Sequence, residues 1–252
     1  MEPTLTDHCD HAHPDTRADT RADTRADTLV LFDIDGTILR SEGAGVAAML
    51  RAFTLIHGDR GFTFEGLEIA GALDRLLFNR LMAQHDLPSH DEAHDHFRMT
   101  YRLELERTLS PERVRRMPGV LELALALSQR DVAVGLLTGN YEETAHIKIR
   151  AAGIDPGVFP FGAFGSDGAS RRHLTPVAMT RAHAHHGRAF AANRVTIIGD
   201  TPSDVDCAKA HGCRSIGVAT GPFSAETLAQ SGADLAINDL SDTEMLLRWI
   251  LN

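Results

Sequence analysis

The sequence predicts an α/β protein: a doubly wound (Rossmann-like) parallel sheet core with an inserted helical cap domain. Short apolar runs such as Leu29 to Phe32 end in polar residues and glycine, which is typical of strands buried on both faces. Helical patterns alternate with these runs, as they do where helices connect parallel strands. The stretch 41–116 departs from this rhythm, because its pattern is mostly helical.

The chain begins with a segment for which we expect no fold. Residues 16–28 read TRADTRADTRADT, a four-residue repeat of alternating charge with no apolar face beyond alanine. Such a repeat buries too little surface to offset the entropy of ordering. Residues 1–27 are therefore predicted to be a disordered repeat tail.

The sheet core is predicted to comprise residues 28–40 and 117–252. Its first three strands lead into polar segments: DIDGT at 33–37, TGN at 138–140 and GDTPSD at 199–204. Ligands of such sheets bind at the carboxyl ends of the strands, so these segments should converge on one pocket. The other strands are predicted at 215–218 and 235–237, and the helices at 120–128, 142–152, 176–186, 204–211 and 243–251.

The predicted cap, residues 41–116, contains three helical patterns, Gly45 to His57, Leu73 to His85 and Asp91 to Leu109. Pro118-Gly119 then marks the return to the sheet. Because the insertion follows the first polar strand end directly, we expect it to lie over the pocket as a lid.

Composition and charge exclude several classes of protein. No apolar run approaches the roughly 18 residues that span a bilayer, and the N-terminus lacks the pattern of a signal peptide. The formal net charge of −10 has the wrong sign for binding nucleic acid phosphates. The three cysteines form neither a disulfide framework nor a zinc spacing. We therefore expect a cytoplasmic protein without nucleic acid or membrane partners, and nothing in the sequence fixes its oligomeric state.

Acidic residues dominate the predicted pocket. Asp33 and Asp35 are two residues apart, so both carboxylates project to one side if the strand geometry persists. One carboxylate can attack an electrophilic phosphorus, while its neighbour protonates the leaving oxygen and then activates water. With Asp200 and Asp204 they form a set of four oxygen ligands suited to Mg²⁺.

Small and hydroxyl-bearing residues complete the candidate site. Gly36 lets the chain turn sharply behind the two aspartates, and Thr37 can donate a hydrogen bond. Thr138 offers a hydroxyl, and the backbone amides of Gly139 and Asn140, near a helix start, can bind phosphate oxygens.

Three of these segments, DIDGT at 33–37, LLTGN at 136–140 and GDTPSD at 199–204, resemble motifs one, two and four of the haloacid dehalogenase superfamily, in order and in spacing. The insertion resembles the helical cap of its phosphoglycolate phosphatase-like members. The resemblance implies a Mg²⁺-dependent phosphatase that hydrolyses a small, phosphoglycolate-like phosphomonoester through an aspartyl-phosphate.

The same resemblance implies roles for individual residues. Asp33 would be the nucleophile, Asp35 the general acid and base, and Thr138 would hold the transferring phosphoryl group. Asp200 would bind the metal, and Asp204 would bind it or support it.

The superfamily's third motif, a lysine that pairs with the nucleophile and the phosphate, has no direct match. When its lysine-proline stretch is aligned on Pro176, Arg171 stands where the lysine would be. A guanidinium can bind phosphate through two donors, so Arg171 is the first candidate. Lys148 and then Arg172 are the alternatives.

Substrate choice should depend on the cap. The run Gly71 to Arg75 resembles the loop of related caps that faces the active site. Arg75 is a candidate to bind a substrate carboxylate or a second phosphate; an ordinary solvated helix start is the alternative.

Other functions fit less well. Residues 41–116 contain no lysine, which excludes a phosphonoacetaldehyde hydrolase with its Schiff base, and Asp35 argues against dehalogenation. A sugar phosphomutase remains an alternative, although its cap signature is absent. A non-catalytic phosphate- or partner-binding protein is the alternative from another class, and the intact pair of Asp33 and Asp35 argues against it.

Overall fold

The computed structural model describes residues 27–252, so the predicted tail lies outside the described residues except for Asp27. Within this range six parallel strands form the main sheet, in the order β5-β4-β1-β6-β7-β8. This sheet confirms the predicted fold class. The main strands are β1 (Leu29–Phe32), β4 (Ala133–Leu137), β5 (Gly162–Ala163), β6 (Val195–Gly199), β7 (Arg214–Val218) and β8 (Leu235–Ile237).

A second, two-stranded sheet stands where the chain leaves and re-enters the core. Strands β2 (Leu39–Arg40) and β3 (Arg115–Arg116) pair antiparallel, with Leu39 opposite Arg116. The helices between them are α1 (Ala44–His57), α2 (Asp74–Gln84) and α3 (Asp91–Thr108). We call residues 41–116 the helical insert.

The core helices cover both faces of the main sheet. They are α4 (Val120–Ser128), α5 (Glu142–Ala151), α6 (Leu174–His186), α7 (Pro202–Lys209), α8 (Ala225–Gln230) and α9 (Thr243–Leu251). Alternate side chains of β1 point to opposite faces, as the pleat requires. Val30 and Phe32 pack in the cluster with α4, α5 and α9, whereas Leu29 and Leu31 pack in the cluster with α6 and α7. Side chains of this one apolar run therefore pack in both hydrophobic clusters, one on each face of the sheet.

The helical insert has a core of its own that extends onto the sheet domain. Phe53, Phe78 and Phe97 of α1, α2 and α3 are fully buried and contact one another. Tyr141 and Ile147, from the segment around α5, belong to the same cluster. The insert thus packs directly against the core beside the strand ends.

Register aligns the polar strand ends. Phe32 pairs with Leu136 on one side and with Ile198 on the other, so Asp33, Thr138 and Asp200 follow at nearly the same level. Among residues 27–252, no helix combines the length and the apolar character needed to cross a bilayer.

Candidate active site

A cavity of about 660 Å³ lies between the carboxyl ends of β1, β4 and β6 and the helical insert. Most of the residues predicted for the site line it, whereas Thr37, Asp204 and Arg75 do not. The predicted residues on its wall are Asp33, Asp35, Gly36, Thr138, Gly139, Asn140, Arg171 and Asp200.

Three carboxylates form a buried cluster on the core side. Oxygen atoms of Asp33, Asp200 and Asp204 all lie within 4.8 Å of one another. Burial raises the pKa of Asp33 and of Asp200 above the usual range of an aspartate, and the neighbouring carboxylates raise both further. A compact, all-oxygen set of mutually repelling acids fits a hard divalent cation such as Mg²⁺. Asp35, predicted as a fourth ligand, is not part of this cluster.

Asp204 is also tied into the start of α7. Its Oδ2 accepts hydrogen bonds from the backbone N–H and the hydroxyl of Thr201, at 3.1 and 2.7 Å, which completes a capping box. Its Oδ1 accepts a bond from Arg171 at 2.5 Å. Asp204 therefore joins α7, Arg171 and the acid cluster, which fits the supporting role considered for it.

Arg171 lies against the candidate nucleophile. Its Nη2 is 2.9 Å from Asp33 Oδ1, and its Nη1 donates to the carbonyl of Gly71 in the insert at 3.2 Å. Burial lowers the pKa of Arg171, but Asp204 and Asp33 outweigh it, so the pKa is raised and the guanidinium stays charged. Among the described residues its buried Nε has no hydrogen-bond partner. Arg172, the third candidate, is exposed and pairs with Asp206.

Lys148 occupies a second position, beside the candidate acid and base. Its Nζ is 2.6 Å from Asp35 Oδ2 and donates to Asn140 Oδ1 at 2.6 Å. The Nδ2 of Asn140 donates to Asp35 Oδ2 at 2.7 Å and to Thr138 Oγ1 at 2.8 Å. The side chain of Lys148 is 5% exposed, whereas that of Asp35 is 44% exposed. The two leading candidates for the missing third motif thus hold different carboxylates.

The turn after β1 leaves no room for larger residues. Gly36 has a φ of +84°, and a Cβ there would collide with the carboxylate of Asp200. Thr37, fully buried, donates its hydroxyl to Asp200 Oδ1 at 3.4 Å. The structure therefore places Thr37 behind Asp200 rather than on the cavity wall.

Arg75 does not reach the cavity. Its guanidinium pairs with Asp91 at 2.9 Å and approaches Nδ1 of His94 at 3.3 Å. Successive helical residues point about 100° apart, so the preceding residue, Asp74, faces the cavity while Arg75 faces α3.

Asp74 and Tyr101 are cavity residues that sequence reasoning missed. Asp74 donates its backbone N–H to the carbonyl of Gly139 at 2.8 Å and accepts the N–H of Tyr141 at 3.1 Å. Burial raises the pKa of Asp74 to about 7, although nearby Lys148 lowers it. The sequence did offer a signal for Asp74, because this acid directly follows the segment Gly71 to Leu73, which was expected to face the active site. No pattern in α3 indicates that Tyr101 lines the cavity.

Together, the doubly wound sheet, the acids at its strand ends and the helical insert over them define an α/β hydrolytic enzyme. The family of haloacid dehalogenase-like hydrolases matches residues 30–209. That match covers more than half of the chain, so the chain belongs to this family and is an enzyme, as the motifs predicted.

Individual proteins are similar to this chain in sequence or in fold. The chain is 26% identical over 217 residues to a phosphoglycolate phosphatase of Rhodospirillum rubrum, which covers 84% of this chain and 87% of the relative. A hydrolase from Pseudomonas syringae shares the fold with a TM-score of 0.66 and 21% identity, over 88% of this chain and 99% of that one. A predicted phosphoglycolate phosphatase from Haemophilus somnus gives a TM-score of 0.64 and 19% identity, over 88% and 98%.

Proposed function

We propose that this haloacid dehalogenase-like phosphatase hydrolyses a small phosphomonoester, of about the size of phosphoglycolate, with Mg²⁺ and through an aspartyl-phosphate on Asp33. The observation that carries the proposal is the position of Asp33: its carboxylate is buried on the cavity wall, within 2.9 Å of Arg171, and Asp35 stands two residues away on the same wall.

In the first proposed step, a carboxylate oxygen of Asp33 attacks the phosphorus and the ester oxygen leaves. Arg171 holds Asp33 in place, and its guanidinium, which lines the cavity, can attract a phosphoryl oxygen. The hydroxyl of Thr138 and the backbone N–H of Gly139 lie on the same wall and can bind the other phosphoryl oxygens.

Asp35 has two tasks in this scheme. It gives its proton to the leaving oxygen, and it then takes a proton from the water that hydrolyses the aspartyl-phosphate. Lys148 and Asn140 both hold its Oδ2, which fixes the carboxyl group while leaving it open to the cavity.

Asp33 and Asp200, with Asp204 beside them, would hold Mg²⁺. When bound, the ion supplies positive charge that offsets the charge of the phosphoryl group and of the clustered acids.

The test is phosphate release from p-nitrophenyl phosphate and from a panel of small phosphometabolites that includes phosphoglycolate, with Mg²⁺ or EDTA. We expect turnover that requires the metal and is lost in Asp33→Asn, because the amide is a poor nucleophile. No turnover on any compound by folded protein that binds Mg²⁺ would contradict the proposal and favour a non-catalytic phosphate-binding protein.

A further inference from the structure

The part of the cavity wall that the helical insert supplies carries acids and no cation. Its charged side chains are Glu42 and the buried Asp74, while every arginine and histidine of residues 41–116 lies away from the cavity. The larger side chains on this part of the wall are otherwise Val46, Met49, Ile69, Leu77 and Tyr101.

Two of the three cationic residues on the rest of the cavity wall pair with acids. Lys148 pairs with Asp35, and Arg171 pairs with Asp33 and Asp204. Arg40 is exposed and donates to the carbonyl of Gly221 at 2.9 Å. A second negative charge on a substrate would therefore find no cation on the wall that residues 41–116 supply, and Arg40 is the described cavity cation without an acid partner.

The wall does suit an uncharged group. Aliphatic carbons can pack on Val46, Met49 and Leu77, as in most small-molecule sites. A substrate hydroxyl can donate to the carboxyl group of Asp74. A carboxylate in the same place would lose its hydration without meeting a cation on this part of the wall.

We propose that the substrate is the phosphomonoester of a small uncharged alcohol or polyol, and that a carboxylate or second phosphate on the leaving group makes a poor substrate. This inference rests on the proposed function and narrows it to one substrate class. Phosphoglycolate, with its carboxylate, falls outside that class.

The test compares two esters of nearly equal size, phosphoglycolate and 2-hydroxyethyl phosphate. The second has a hydroxymethyl group where the first has its carboxylate. We expect kcat/KM to be at least about tenfold higher for 2-hydroxyethyl phosphate, because only phosphoglycolate brings a second charge, which would lose its hydration on a wall that supplies no cation. Equal or faster hydrolysis of phosphoglycolate would overturn the inference.

A variant of the wall provides an independent test. Val46 is half-buried on the cavity, and Val46→Arg adds a guanidinium there, while Val46→Met is a matched control that adds length without charge. We expect Val46→Arg to shift the ratio of the two kcat/KM values toward phosphoglycolate by about tenfold, and Val46→Met to leave it near the wild-type ratio. Equal shifts in both variants would contradict the electrostatic argument.

The two proposals fail in different ways. Absence of turnover on every ester, including p-nitrophenyl phosphate, would overturn the proposed function and the inference with it. Turnover of p-nitrophenyl phosphate combined with a preference for phosphoglycolate would overturn the inference alone.

Discussion

Two buried cations form ion pairs with different acids of the site. Arg171 contacts Asp33 and Asp204, whereas Lys148 contacts Asp35. The nucleophile and the acid/base of the proposed reaction therefore have separate positive partners. The superfamily's third motif would supply a single lysine, whereas here two buried cations on different elements contact these acids.

The contact between Arg171 and Asp33 predicts a large effect of Arg171→Met. We expect kcat to fall by about 100-fold or more, since the nucleophile loses its partner and the phosphoryl group loses a donor. Unpaired Asp33 and Asp204 should also lower the free energy of unfolding by about 3 kcal/mol. Kinetics with p-nitrophenyl phosphate and urea unfolding measure the two effects.

The neighbouring residue is the matched control for Arg171. Arg172 pairs with Asp206 on the surface, so we expect Arg172→Met to retain near wild-type turnover and stability. Similar losses in both variants would show that the position of Arg171 against Asp33 is not what matters.

Asp74 makes stability depend on pH. The pKa of its carboxyl group is raised to about 7, so the folded protein keeps this proton at pH values where the unfolded chain has lost it. Its contribution to stability is present at acidic pH and is lost as the pH rises toward 7 and beyond. Asp74→Asn has no such loss and can still accept the N–H of Tyr141.

The prediction concerns the difference in free energy of unfolding between Asp74→Asn and wild type. We expect this difference to favour the variant by about 2 to 3 kcal/mol more at about pH 8 than at about pH 5. Urea unfolding of both proteins at the two pH values measures it. A difference that is the same at both would contradict the raised pKa.

How far the sequence predicts the site differs between residues. Asp33, Thr138 and Asp200 follow apolar runs that read as parallel strands, so their convergence is a consequence of topology. The choice between Arg75 and Asp74 depends on how α2 is rotated against the core, and that rotation is set by contacts between segments far apart in the chain. The acid that Arg171 or Lys148 contacts likewise could not be predicted from the sequence, because each contact joins segments far apart in the chain.

At the scale of elements, the insert and the core meet at Gly139. A Cβ on this residue would collide with the carbonyl oxygen of Ala72, so the backbones touch without an intervening side chain. Arg98 and Glu143 add two hydrogen bonds, at 2.7 and 2.8 Å, between α3 and α5. The close contact keeps the insert over the strand ends.

Gly139→Ala should push the insert away from the core. We expect stability to fall by about 1 to 3 kcal/mol, with a higher KM and a lower kcat, because the cavity wall is displaced. Gly157→Ala is the control: its Cβ would lie 3.3 Å from the side chain of Asp155, and Gly157 does not line the cavity. Equal kinetic effects of the two substitutions would refute this account.

The longer elements match their predicted ranges closely, and so does the short strand β8, whereas four other short elements were missed. Strands β2, β3 and β5 have two residues each, and α8 has six, so none is long enough to show a hydrophobic period. The alternation of long apolar runs and helical patterns is enough to predict the sheet, because parallel strands are joined through helices. The short strands form only where neighbouring segments supply their partners.

For the whole molecule, metal binding and folding should be linked. We expect Mg²⁺ at about 100 times its Kd to add about 2.7 kcal/mol to the free energy of unfolding, since the acid cluster exists only in the folded chain. The gain should grow from about pH 6 to about pH 8, because the raised pKa values of Asp33 and Asp200 make protons compete with the ion. Melting curves with Mg²⁺ or EDTA measure it.

Asp200→Asn is the test of this linkage, because it removes one carboxylate from the cluster. The variant should melt at the same temperature with Mg²⁺ and with EDTA. A metal-dependent rise in Tm that persists in Asp200→Asn would place the ion elsewhere on the molecule.

The pairing of β2 with β3 has a consequence for how this protein can change over evolutionary time. Because the two crossings between core and insert run side by side, the ends of the inserted segment are only a strand spacing apart, whatever its length. The entropy of closing a loop between such ends rises slowly with the number of residues. Insertions and deletions in this segment can therefore accumulate at little cost to the sheet. The strand-end carboxylates of the core and the cavity wall of the helical insert can be inherited and altered separately.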